Sequence, residues 1–78
     1  MTVEIRIQAE DAKRLKNDTA FMQFMQDVRD LQITRFTTSA AQDVEQREEA
    51  HAMLRALEQI EVQLDAAIAA ETLLDRKK

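Results

Sequence analysis

Few residues in this 78-residue chain have types and spacing that could do chemistry. His51 is the single histidine, with Arg47 and Arg55 at i−4 and i+4 and no carboxylate at those positions to orient its ring. A lone imidazole is not a metal site, so His51 reads as a satisfied interfacial histidine. Glu61 and Asp65 stand at i and i+4, and paired carboxylates can do acid/base work or hold a metal. No histidine accompanies them at ligand spacing. Glu61 is instead expected to pair with an arginine of the preceding helix, Arg29 or Arg35, and so to set helix register. There is no glycine for a phosphate-cradling loop and no cysteine for a thiol nucleophile, and no serine or threonine sits in a local motif. These residues predict a protein without enzymatic chemistry, without a metal and without a cofactor.

Attention therefore moves to the elements. Residues 43–75 form one long helical pattern in which Ala50, Met53, Leu54, Leu57, Ile60, Leu64, Ala67 and Ile68 fall in a single stripe at 100° per residue. A second line, Val44, His51, Val62, Ala69 and Leu73, lies well around the cylinder, and one covering helix cannot hide both. Acids gather in the first turns and Arg76, Lys77 and Lys78 at the end, which complements the helix dipole. The helix is expected over residues 40–75.

The formal charge is −4, unevenly spread. Residues 1–36 balance six acids against six bases, whereas residues 43–75 hold nine acids against Arg47 and Arg55. Such a helix repels a phosphate backbone, so any nucleic-acid contact falls to Lys13, Arg14 and Lys16 or to the Arg76–Lys78 tail. No apolar run of membrane-spanning length and no signal-peptide pattern is present, and with no disulfide possible a cytoplasmic setting is expected.

In residues 1–8, Val3, Ile5 and Ile7 alternate with polar residues, the period of a strand with one covered face. No partner strand exists elsewhere in the sequence. The segment is therefore expected either to pair with another subunit or sheet edge, or to lie as an extended arm on the helices. Residues 9–16 fit a short helix, and Asn17-Asp18 interrupts it, with Asp18 suited to cap the next one. Over residues 19–36, Phe21, Phe24, Val28, Leu31 and Arg35 follow the 3-4-3-4 spacing of a helix-packing seam. Met22, Met25, Ile33 and Phe36 widen it to about half the circumference, so this helix needs cover on two sides. Thr37-Thr38-Ser39 is the turn, with Ser39 and Gln42 spaced as a capping box.

The fold expected is all-α: a single domain over residues 1–78, an antiparallel helical hairpin with a short N-terminal helix and a possible β-arm. On that expectation the first arm is shorter than the second, which leaves Leu64, Ile68, Leu73 and Leu74 short of cover. A chain this small, without disulfide or metal, is expected to gain stability by self-association into a bundle or ring.

The stretches LKNDTAFMQFMQDVRD and DVEQREEAHAMLRALEQIEVQL resemble small helical proteins that tailed bacteriophages encode near their packaging and head genes. The likeness covers about residues 15–65 and rests on pattern. It implies a non-enzymatic, small-terminase-like oligomer of helical hairpins beside a packaging motor. Since the chain has no room for an N-terminal helix-turn-helix, specific DNA recognition does not carry over. Three functions are thus in view: a structural or adaptor oligomer with a protein partner in a packaging or host complex, an acidic helical inhibitor of a host protein, and a paired-hairpin nucleic-acid binder.

Overall fold

A computed structural model describes residues 2–76, so Lys77 and Lys78, assigned above to the basic tail, lie outside the described residues. Three helices follow one another: α1 (Thr2–Lys16), α2 (Thr19–Thr38) and α3 (Val44–Arg76). No strand occurs among the described residues.

The expected arm at residues 1–8 is corrected by the first of these helices, which begins at Thr2 instead of Ala9. Val3, Ile5 and Ile7 satisfy two periods at once, because Val3 and Ile7 are i, i+4 while Ile5, Ala9 and Ala12 are i, i+4, i+7. A strand here would leave its backbone groups without a ladder, whereas a helix pairs them internally. The inward line ends in Ala9 and Ala12, both buried.

Asn17-Asp18 separates α1 from α2. The Phe21 amide donates to the Asp18 side chain at 2.9 Å, and the Met22 amide donates to the Asp18 carbonyl at 3.0 Å, so Asp18 is the N-cap of α2.

The turn differs from expectation. Ser39 is the C-cap of α2, its hydroxyl donating to the Phe36 carbonyl at 3.0 Å, and α3 starts at Val44 instead of residue 40. Asp43 takes the capping position: its backbone carbonyl accepts from the Arg47 amide, and its carboxylate accepts from the Ala40 amide at 3.0 Å. The Arg47 guanidinium closes the loop, donating to the Ser39 hydroxyl and to the Ala40 and Ala41 carbonyls. A cation thus satisfies the loop carbonyls, and no described residue has a positive φ.

Helices α1 and α2 lie end to end along α3, making a flat two-layer rod of 56 × 22 × 16 Å. Their lengths explain the match: the 15 and 20 residues of the first arm extend about 53 Å and the 33 of α3 about 50 Å at 1.5 Å per residue. Once residues 2–8 are helical, the second arm no longer outruns the first. Leu64, Ile68 and Leu74 are accordingly half-buried, in place of the expected lack of cover, and Leu73 stays open at 57 %.

The seam is narrow and made of small or flexible residues. Ala9 and Ala12 of α1, Met25 and Gln32 of α2, and Ala50 and Leu57 of α3 are buried. α2 ends at Thr38 and α3 starts at Val44, so counting equal numbers of residues back from the turn sets Met25 about level with Leu57 and Gln32 about level with Ala50. Alanines at α1 let it approach α3 closely.

Candidate interaction surface

Four inter-helical ion-pair sets run along one broad side of the rod. Arg6 donates to Asp75 at 2.8 Å and lies 3.5 Å from Glu71, Lys13 donates to Glu71 at 2.6 Å, Lys16 pairs with Asp65, and Arg29 pairs with Glu61. The hydrogen bond to Asp75 raises Arg6 above the ordinary guanidinium range, and the bond to Glu71 raises Lys13 above the ordinary lysine value.

Glu61 and Asp65 are held by different cations, Glu61 by Arg29 of α2 and Asp65 by Lys16 of α1. Among the described residues no cluster of three or more histidine or carboxylate groups is placed to hold a metal ion. His51 is exposed, beside a shallow groove with Phe36, Val44, Arg47 and Glu48. Of the basic residues considered for nucleic acid, Lys13 and Lys16 are engaged by α3 and Arg14 by Asp11, while Lys77 and Lys78 lie outside the described residues.

The apolar residues considered for an interface divide by helical position. Met25 is buried; Ile5, Phe21, Met22 and Val28 are half-buried. Val3 (68 %), Ile7 (55 %), Phe24 (70 %), Ile33 and Phe36 remain open to solvent. Exposure also extends to Val44 and Val62, the second line that a single covering arm was not expected to hide. Met53 and Ile60, placed in the buried stripe by spacing, are instead 44 % and 43 % exposed. Leu31, also open, joins them.

At 100° per residue Phe24, Val28, Leu31 and Arg35 share the flank of α2 that points away from Arg29. Met53, Ala56 and Ile60 share the corresponding flank of α3, and a shallow groove lined by Gln32, Arg35, Glu49, Met53 and Ala56 joins the two helices on that side. The rod therefore has two unlike broad faces. One carries the ion pairs, and the other carries an apolar strip. A spacing signal for this strip exists, since Phe24 to Leu31 and Met53 to Ile60 are each seven residues, but spacing alone does not say which way each helix turns.

No helix among the described residues is long and apolar enough to cross a membrane. No known protein family, curated protein or solved structure matches the chain.

Proposed function

We propose that the chain is a non-enzymatic structural or adaptor protein that works as an oligomer of helical hairpins. The observation that carries this reading is the placement of bulk: among the described residues no large side chain is fully buried, while twelve large apolar residues are exposed. Accessible surface is 6050 Å², against about 4,850 Å² for a compact monomer of 9.0 kDa. The radius of gyration is 16.7 Å, where a compact chain of this length has about 11.5 Å. Extended apolar strips on a thin rod mark protein interfaces.

The resemblance to phage packaging-region proteins supplies a setting. In it the oligomer is a packaging or virion-assembly component acting in the host cytoplasm, built from a dimeric four-helix bundle or a ring of hairpins. Internal pairing of Lys13, Arg14 and Lys16 disfavours a role as a DNA-binding arm. The test is mass in solution. Light scattering and sedimentation at micromolar concentration are expected to give a multiple of 9.0 kDa, and a well-folded particle of 9.0 kDa would overturn the proposal.

A second reading, an acidic helical inhibitor of a basic host protein, has one observation in its favour. Glu45, Glu48, Glu49 and Glu58 make no ion pair with any described residue, leaving the first half of α3 negative. Capture of one basic partner that is lost with salt and with Glu48→Lys/Glu58→Lys would favour it. Capture indifferent to both would remove it.

A further inference from the structure

We infer that the face bearing Phe24, Val28, Leu31, Met53, Ala56 and Ile60 is where a second copy of this chain docks, hairpin on hairpin, to close a four-helix layer. This deepens the self-association reading and rests on it. Four observations carry the choice of face and of occupant.

The first is register. With Met25 about level with Leu57 and Gln32 about level with Ala50, Phe24 falls level with Glu58 and Leu31 with His51. Ile60 and Met53 sit two residues, about 3 Å, further from the loop, so Phe24 with Ile60 and Leu31 with Met53 still make two staggered rows. Two bulky rows thus stand about 10.5 Å apart along the rod, seven residues at 1.5 Å each. The second is relief: between those rows lie the smaller Val28 and Ala56, so the face reads ridge, hollow, ridge. A copy of the same face has the same spacing and can seat its own ridges against these hollows, as in knobs-into-holes bundles.

The third is charge. The ion pairs formed by Arg6, Lys13, Lys16 and Arg29 line the opposite face, whereas Arg35 and Glu49 are confined to the loop end of this one. Docking here strands no charged group between the six residues named, while docking on the opposite face would desolvate the ion pairs. A nucleic acid or a charged peptide would find no counter-charge among them. The fourth is area. The rod as a whole exposes about 1,200 Å² more than a compact chain of its mass, so its open surface can supply the about 800 Å² per partner that a stable complex with a second copy needs.

The test uses the whole chain, which has neither tryptophan nor tyrosine. Phe24→Trp places a fluorophore on the face with little change in shape, and Ile33→Trp places one on the opposite face. As concentration rises through the mass transition, emission of Phe24→Trp is expected to shift to shorter wavelength while that of Ile33→Trp stays put. Phe24→Glu/Leu31→Glu is expected to weaken association at least about a hundredfold, with helix content by circular dichroism retained.

A wild-type chain that stays at 9.0 kDa sinks both the self-association reading and this inference. An oligomer in which Phe24→Trp does not shift, or one that survives Phe24→Glu/Leu31→Glu, leaves self-association standing and overturns the choice of face. If the double variant loses its helices, the two tryptophan variants decide alone.

Discussion

Ala9→Leu is the sharpest test of how α1 sits on α3. Ala9 has no exposed surface, and the next inward position, Ala12, is 2 % exposed, so α1 meets α3 through methyl groups at helix-contact distance. A leucine there adds three carbons where no space exists, and the rod must either strain its rotamers or push α1 away. Overpacking of this kind costs about 1–3 kcal/mol. For a domain of this size 1 kcal/mol moves the melting temperature by roughly 4–8 °C, so a drop of about 12 °C is expected for the middle of that range. The paired control is Ile7→Ala. Ile7 is 55 % exposed on the outer side of α1, and the exchange should leave the melt within about 0.5 kcal/mol of wild type, because surface changes away from caps and cores are small. Were residues 2–8 a strand or extended arm lying on the helices by Val3, Ile5 and Ile7, the ranking would reverse. Melts followed at 222 nm should be run at one protein concentration, because the proposed self-association would shift the midpoint. Ala9→Leu melting at or above wild type, with Ile7→Ala the damaging change, would refute the docked helix.

The loop and the ion pairs yield two further expectations. Arg47→Met keeps the unbranched stem of the side chain but removes the guanidinium and leaves the Ala40 and Ala41 carbonyls without their charged donor, so a loss of about 1.5–3 kcal/mol by thermal melt is expected, and no loss would show that the loop closes without it. Lys13 has its pKa raised by the bond to Glu71, so its folded form holds the proton more tightly than its unfolded form, and its contribution is complete below the ordinary value of 10.5 and vanishes as pH climbs through the raised value. The wild-type melting temperature should therefore fall across that alkaline window and fall less in Lys13→Arg; identical profiles would mean that the pair contributes nothing.

Much of the backbone plan was legible in residue order. Asp18 announced a helix start because a carboxylate two or three residues ahead of free amides is a local device, complete within four residues. Glu61 on a largely apolar face pointed to a cation across the seam, and Arg29 is that cation. Residues 2–8 were not legible, since Val3, Ile5 and Ile7 serve a strand face and a helix seam equally, and the choice depends on whether α3 is long enough to receive a third helix. The start of α3 was misplaced for a different reason. Ser39 and Asp43 both can cap, and the competition is settled by Arg47, whose partners are backbone carbonyls that leave no mark in the sequence. Met53 and Ile60 were expected inside because their stripe is about as wide as the seam is narrow. How far each helix rotates about its own axis follows from where alanines permit closest approach, and that is a property of the pair.

That rotation is the step from packing to function. A chain that folds to work alone buries its bulky apolar groups, because burial yields about 25 cal/mol per Å² and small residues contribute little area. Here that order is largely inverted: beside Met25 and Leu57 the covered positions are Ala9, Ala12 and Ala50, while Val3, Ile7, Phe24 and Leu31 are open. Alanine and ion pairs fix the register of the two arms but supply modest stability, since exposed pairs are worth about 0–1 kcal/mol each. The large apolar groups can contribute their share only when something covers them. On the proposed self-association, folding and association draw on the same surface, and the stability of the hairpin is then expected to rise with protein concentration, as it does for chains whose folded monomer is marginal.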